Sequence, residues 1–173
     1  VPGDQATDLQ VTEIDGWLVL ERLPTTTEAW ERFVVSGPQP RALLTLYAAG
    51  SEPDAAVYEA LRRLDRDHIP EVLATGRWND RAYDVSEEIV GGCLAGNGNG
   101  LADDPTRLRS MVEQLGRALC AFAERGLRHR DLNPENILVR AEQPLDLVVT
   151  GFGSARLSDF DLEAVTPLAI SRY

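Results

Sequence analysis

The sequence contains no lysine, because all 17 of its basic residues are arginine. A P-loop needs a lysine that reaches the β- and γ-phosphates, and pyridoxal phosphate enzymes need a lysine for their Schiff base. Both kinds of site are therefore excluded. The complete avoidance of lysine also indicates a GC-rich genome, and we expect a bacterial source.

Cysteine and histidine are scarce too, with two residues of each and no spacing typical of zinc ligands. The formal net charge of −11 has no basic stripe to offset it, which argues against binding nucleic acid or an anionic membrane. No apolar run is long enough to span a bilayer, and no signal peptide is visible. We expect a cytoplasmic protein, or the cytoplasmic part of a larger membrane protein, and the start at Val1 indicates a fragment.

Short segments rich in β-branched and aromatic residues predict strands in the first half of the chain. They cover residues 16–23, 32–37, 41–47, 70–78 and 81–90, and Asn79-Asp80 is expected to form a turn. A helix that begins near Ser51, as its N-cap, is expected between the third and fourth strands, because apolar residues follow it at helical spacing.

The second half begins with a glycine-rich loop over residues 91–104 that does not lead directly into a helix, which disfavours a dinucleotide-binding interpretation. Asp104 and Pro105 predict the start of a long helix, and Gly126 its end. One apolar stripe of this helix is expected to face the core: Leu108, Met111, Val112, Leu115, Leu119 and Phe122. Two further strands are predicted around the turn at residues 142–144.

The segment HRDLNPENILV carries a family resemblance. His129, Arg130, Asp131, Leu132 and Asn136 match the H-R-D-L-x-x-x-N catalytic loop of eukaryotic-type Ser/Thr protein kinases. The order of predicted strands and helices upstream is similar to that family over nearly the whole chain.

The resemblance implies an α+β, bilobal protein kinase-like fold. Residues 1–90 would form an antiparallel, β-rich N-lobe with one inserted helix. Residues 91–173 would form the hinge loop and the upper part of a helical C-lobe, with an activation-segment-like end and the lower C-lobe missing. In the family, the residue at Asp131 accepts the substrate hydroxyl's proton and the residue at Asn136 binds a metal ion. His129 and Arg130 are expected to be structural, and Asp131 and Asn136 could also be present for structure alone.

The parts that hold a nucleotide in that family are degenerate here. The stretch that matches the glycine-rich loop, Leu23 to Trp30, contains no glycine. Thr45 stands at the lysine position, so Glu59 on the inserted helix would lack its partner. Leu43 stands where the family has a small alanine that contacts adenine, so its larger side chain would partly fill the adenine pocket. Arg41 is too far along the strand from Thr45 to replace the lysine, at about 13 Å.

Glu88 and Val90 are the hinge residues at which the resemblance places further nucleotide contacts. Gly151 replaces the aspartate that binds the bridging magnesium ion, while Phe152 is expected to pack against His129 and the inserted helix. No metal and no cofactor are therefore expected, with ATP and Mg²⁺ bound at most weakly.

These features predict a pseudokinase domain with a regulatory or scaffolding role. Its expected partner is another protein or a neighbouring domain of the parent chain. One alternative is a weak or atypical ATP-dependent Ser/Thr kinase, or another nucleotidyl or phosphoryl transferase, that uses Asp131 and Asn136. Another is a binder of a non-nucleotide small molecule, which no convergent set of polar residues supports.

Overall fold

The computed structural model describes residues 12–25, 27–97 and 103–158. Their contacts divide the chain into two compact units. The first unit comprises the chain up to Gly50 together with Leu73–Glu88, and the second comprises Ser51–Val72 together with the chain after Glu88. The predicted activation-segment-like end of the chain, after Ser158, lies outside the described residues.

The first unit is built on a six-stranded sheet in the order β1-β2-β3-β4-β6-β5. Its strands are β1 (Glu13–Ile14), β2 (Trp17–Leu23), β3 (Trp30–Ser36), β4 (Ala42–Tyr47), β5 (Val72–Trp78) and β6 (Arg81–Ser86). The predicted turn between the last two strands is confirmed, because Asn79 and Asp80 both adopt positive φ there, at 48° and 62°. Asparagine and aspartate tolerate this conformation better than most residues.

The two faces of this sheet differ, because successive side chains of a strand point to opposite faces. One face is the core of the unit and buries residues that include Phe33, Val35, Leu44, Leu46 and Val85. The other face carries the alternate residues of the same strands, among them Arg32, Val34, Leu43, Thr45 and Asp84. We call this second surface the mixed face, since it combines charged, polar and apolar side chains.

In the part that the structure describes, the second unit combines three α-helices with two pairs of strands. Its elements are α1 (Ala55–Leu61), α2 (Leu94–Asn97), α3 (Pro105–Glu124), β7 (Leu127–Arg128), β8 (Ile137–Glu142), β9 (Leu145–Val149) and β10 (Arg156–Leu157). Strands β8 and β9 form an antiparallel hairpin, and β7 pairs with β10. The predicted start of α3 is confirmed: Asp104 caps it by accepting hydrogen bonds from the N–H groups of Thr106 and Arg107. Gly126 follows α3 with a φ of +65°.

A hydrophobic cluster joins α1 to α3. Val57 and Leu61 of α1 are buried with Ala118 and Phe122 of α3 and with residues of the neighbouring strands. This packing explains why α1 belongs to the second unit, whereas the sequence boundary at residue 90 assigned it to the first.

Two sequence expectations for the helices are wrong. Helix α1 begins at Ala55 with Asp54 as its N-cap, not at Ser51. The reason is Pro53, since the residue before a proline is disfavoured in helical conformation. The predicted core stripe of α3 is only partly buried, because Leu108, Val112 and Leu119 are 40%, 60% and 43% exposed. The helix contacts the β8–β9 hairpin mainly through Met111 and Leu115.

Candidate active site

The segment that resembles a catalytic loop is anchored by His129, which is 5% exposed. The His129 Nε2 lies 2.7 Å from the backbone oxygen of Thr150, and the Nδ1 lies 3.3 Å from the backbone nitrogen of Asp131. A neutral ring with its proton on Nε2 satisfies both contacts. Burial lowers the pKa of His129, against the hydrogen bond to Thr150 and the charge of Asp131, which raise it.

Aromatic side chains pack around this histidine. The Phe152 ring centroid lies 4.7 Å from that of His129 and 5.6 Å from that of Phe122. Phe152 also contacts the cluster that contains Val57 and Leu61 of α1. The predicted packing of Phe152 against His129 is therefore confirmed, and its packing against the inserted helix stays a prediction.

Asp131 is exposed, and its carboxylate accepts hydrogen bonds from two asparagine side chains. Asn133 Nδ2 lies 3.1 Å from one carboxylate oxygen, and Asn136 Nδ2 lies 3.1 Å from the other. Asn136 Nδ2 also lies 2.8 Å from the backbone oxygen of Asp131. Arg130, with a φ of +69°, makes the sharp turn that precedes this network. The structure thus brings together the predicted residues His129, Arg130, Asp131 and Asn136.

Asn133 belongs to the same network, although the sequence analysis did not single it out. Its side-chain oxygen accepts hydrogen bonds from the N–H groups of Glu135 and Asn136, at 2.9 and 3.2 Å. Asparagine followed by proline is typical of a capped helical turn, and Pro134–Asn136 form a 3₁₀ turn here. That dipeptide was the signal that could have identified Asn133.

Gly151 adopts a φ of +82° next to the Asn136 side chain. A Cβ atom at this position would lie 2.8 Å from Asn136 Nδ2 and closer still to the Cγ and Oδ1 atoms. The Asn136 carboxamide therefore occupies the space into which a side chain at residue 151 would extend. Glycine is the residue that fits both the backbone conformation and the space.

Thr45 and Leu43 lie on the mixed face of the first unit. Thr45 is 7% exposed, and its cross-strand partners are Arg32 on β3 and Asp84 on β6. Leu43 pairs in the same way with Val34 and Ser86. The position that the resemblance assigns to a lysine is thus a small buried hydroxyl beside an arginine.

The remaining residues considered for the nucleotide site either form ion pairs with other residues of the chain or are exposed. Arg41 and Glu88 form two hydrogen bonds of 2.7 and 2.8 Å, and this contact raises the pKa of Arg41 and lowers that of Glu88. Glu59 pairs with Arg62 of its own helical segment at 3.0 Å. Val90 is 83% exposed. Because Glu88 holds the Arg41 guanidinium, Arg41 is not available to act as the missing lysine.

The residues present do not fit a magnesium ion bound as the resemblance implies. Residue 151 supplies no carboxylate, and the Asn136 amide nitrogen is turned toward Asp131. In the described ranges no three His, Cys, Asp or Glu side chains form a cluster that could hold a metal ion. The predicted lack of metal and cofactor stays a prediction.

Sequence comparisons connect the chain to kinases. Residues 96–162, less than half of the chain, match the Lipopolysaccharide kinase (Kdo/WaaP) family. Human serine/threonine-protein kinase H1 is 32% identical over 116 residues, which are 64% of this chain and 27% of that protein. Serine/threonine-protein kinase CG17528 of Drosophila melanogaster is 30% identical over 106 residues, which are 59% of this chain and 14% of that protein. The chain thus spans about a quarter or less of these relatives.

Structural comparison shows the fold. The Mycobacterium tuberculosis PknI kinase domain matches with a TM-score of 0.64 and 22% identity, over 82% of this chain and 61% of that one. The predicted α+β protein kinase-like fold is confirmed by this match. Among the described helices, none is both long enough and apolar enough to cross a bilayer.

Proposed function

We propose that this chain, which is protein kinase-like in fold and in sequence, is a pseudokinase domain with a regulatory or scaffolding role. It transfers little or no phosphate from Mg²⁺-ATP. Its partner is another protein or a neighbouring domain. A bacterial source and a cytoplasmic location remain predictions from composition.

The observation that carries this proposal is the arrangement of Gly151 and Asn136. In a working kinase the two corresponding side chains bind metal ions that neutralise the phosphates. Here one of them is absent, and the other fills its place while it hydrogen-bonds Asp131. The pair supports the local fold and supplies no carboxylate for a metal ion.

The absence of a lysine at Thr45 also lowers the expected rate of phosphoryl transfer. Loss of one preorganised electrostatic group lowers an enzymatic rate by roughly 10²–10³. With the lysine and the metal-binding carboxylate both absent, we expect a decrease on the order of 10⁴ or more, even if the two effects are not additive.

The test is incubation with ATP labelled at the γ- or the α-phosphate, with Mg²⁺ and a protein substrate. We expect no incorporation above that of the matched variant Asp131→Ala. Label that is present in the natural chain and lost in Asp131→Ala would refute the proposal. Label that persists in the variant belongs to a contaminant and leaves the natural chain inactive, as proposed.

One observation favours the alternative of a weak or atypical transferase. The Asp131 carboxylate is exposed and oriented by Asn133 and Asn136, as a proton acceptor would need to be. The two labels distinguish a phosphoryl transferase from a nucleotidyl transferase. Incorporation of the γ-label reports phosphoryl transfer, and incorporation of the α-label reports nucleotidyl transfer.

A further inference from the structure

Arg32 on the mixed face carries a buried donor that no protein group satisfies. Among the described residues, three have a buried Nε without a hydrogen-bond partner: Arg32, Arg107 and Arg140. Arg107 also donates to Glu142, and Arg140 lies 3.5 Å from the carboxylate of Asp146. Arg32 instead stacks on Trp30, with its guanidinium carbon 4.3 Å from the ring centroid.

The sheet register puts Arg32 next to the position of the missing lysine. Arg32 is the direct partner of Thr45 across β3 and β4, and Thr45 is the direct partner of Asp84 across β4 and β6. Direct partners in an antiparallel sheet point to the same face, one strand spacing apart, which is about 4.8 Å. An arginine side chain easily spans that distance, so a cation is present on this face although residue 45 is neutral.

An apolar row lies beside this charged row. Val34, Leu43 and Ser86 are cross-strand partners two residues further along the same three strands. Val34 is buried, and Leu43 is half-buried. The backbone positions of this apolar row lie about 7 Å along the strands from those of the row that contains Arg32. The two rows together suit a ligand with a flat apolar part and an anionic part.

The surroundings make the Arg32 charge costly without a counter-ion. Burial lowers the pKa of Arg32, and Tyr47 and Asp84 raise it. Asp84 is two strand spacings from Arg32, and its carboxylate accepts a hydrogen bond of 2.9 Å from the Tyr47 hydroxyl. Asp84 thus attracts the guanidinium from a distance and supplies no acceptor to its Nε. A desolvated cation of this kind gains more from a bound anion than a hydrated one does.

We infer that Arg32 is an anion-binding residue that holds a phosphate group of a nucleotide directly, without a metal ion, on the mixed face beside Thr45. The Nε–H and one Nη–H form a fork that matches two phosphate oxygens. In the structure Arg32 Nε is buried. The Arg32 side chain therefore has to rotate so that Nε faces the phosphate when the ligand binds. The phosphate then supplies the acceptor that Nε lacks.

This inference rests on the proposed function in one respect, which is that the phosphate is held and not transferred. The two can fail separately. Labelled ATP with Mg²⁺ tests transfer, whereas binding measured in EDTA tests Arg32.

The experiment is isothermal titration of the full chain with ATP in EDTA at low salt. We expect binding that Arg32→Gln weakens about tenfold or more, since one charge-assisted bidentate contact is lost. Arg22→Gln is the matched control, because Arg22 lies on β2 of the same sheet and pairs with Glu31 at 2.9 Å. The control is expected to change the affinity less than about twofold, because an exposed ion pair contributes little.

A second variant keeps the test decisive if Arg32→Gln unfolds. Asp84→Asn removes the carboxylate that competes for Arg32 and nearly preserves its shape, so it is expected to strengthen ATP binding about two- to fivefold. A purely structural Arg32 would give the opposite or no change, since Asp84 would then only stabilise the fold.

Two further ligands identify the source of the phosphate. If ATP binds more tightly than inorganic pyrophosphate, the ligand is a nucleotide, and equal affinities indicate an inorganic or other phosphate at the same Arg32 site. Adenosine alone is expected not to bind measurably. The inference is overturned if the natural chain binds neither ATP nor pyrophosphate at millimolar concentration, or if Arg32→Gln and Asp84→Asn bind ATP as the natural chain does.

Discussion

Asp131 in the second unit and Thr45 in the first occupy two positions that the kinase resemblance makes functional, and their surroundings are opposite. Asp131 is exposed, and two asparagine side chains orient its carboxylate. Thr45 is buried between an arginine and an aspartate on neighbouring strands. The residues that match the family here also hold the local backbone together. The positions that differ are those whose family role is to bind the charge of a ligand.

The largest expected effect comes from filling the space beside Asn136. Gly151→Ala should lower the free energy of unfolding of the second unit by about 2–5 kcal/mol, because it combines positive-φ strain with overpacking. Gly126→Ala is the matched control: Gly126 has a φ of +65°, and a Cβ atom added there would lie no closer than 3.8 Å to the atoms of Ser158. The control should cost only the strain, about 1–2 kcal/mol. Urea unfolding followed by far-UV circular dichroism reports the helices, and every helix within residues 12–25, 27–97 and 103–158 lies in the second unit.

Equal losses for Gly151→Ala and Gly126→Ala would show that Asn136 moves aside freely. The space at residue 151 could then accept a carboxylate, and the contrast between the two regions would weaken.

The next effect concerns restoration of the lysine. Thr45→Lys should be less stable than Thr45→Met, a variant of similar shape without charge, by about 1–3 kcal/mol, because burial desolvates the ammonium and Arg32 repels it. Asp84, the partner on the other side, offsets this only in part because its carboxylate already accepts a hydrogen bond from Tyr47. All three tryptophans lie in the first unit, so their fluorescence during urea unfolding measures this difference. Adding Arg32→Met to both variants should remove most of the stability difference between them. If Thr45→Lys is as stable as Thr45→Met, the position is an open lysine site and our interpretation of this row is wrong.

A smaller effect is expected for the coupling between Asp131 and Asn136. A double-mutant cycle with Asp131→Ala and Asn136→Ala should give an interaction energy of about 0.5–1.5 kcal/mol, because the two residues share hydrogen bonds. The helical signal in urea unfolding again provides the measurement. Additive losses would mean that the network does not stabilise the loop, and that these residues are better explained by a catalytic role.

The smallest effect is a pH dependence from His129, whose pKa is lowered mainly by burial. The unfolded chain therefore binds this proton more readily than the folded chain does. The contribution to stability is complete above the unfolded pKa of about 6.5 and is lost as pH falls toward and through the folded pKa. Stability should decrease between about pH 7.5 and pH 5.5. His129→Gln should flatten that slope, and an unchanged slope in the variant would assign it to other groups.

Much of the sheet could be predicted because its signals are local. Alternating apolar residues and the Asn79-Asp80 turn identified most strands, and Asp104-Pro105 located the start of α3. The two-residue strands β1, β7 and β10 were not predicted, since two residues carry no periodicity. The exposure of Val112 was also missed, because periodicity identifies an apolar stripe but not which part of it another element covers.

The site was predictable where a motif names the residue. The HRDLNPEN segment led directly to His129, Asp131 and Asn136. The same comparison with the family's motifs showed that Gly151 replaces the metal-binding aspartate. The role of Arg32 did not follow, because it depends on strand register. Arg32 and Thr45 are 13 residues apart in sequence, and only pairing of β3 with β4 makes them neighbours.

The most direct test of the central claim measures the metal itself. Mn²⁺ prefers the same oxygen ligands as Mg²⁺, and its paramagnetic resonance spectrum distinguishes ion bound by ATP alone from ion also bound by protein. We predict that adding this protein to Mn²⁺-ATP produces no signal from Mn²⁺ coordinated by protein groups, in the natural chain and in Asn136→Ala alike. A protein-bound Mn²⁺ signal that Asn136→Ala abolishes would contradict the account.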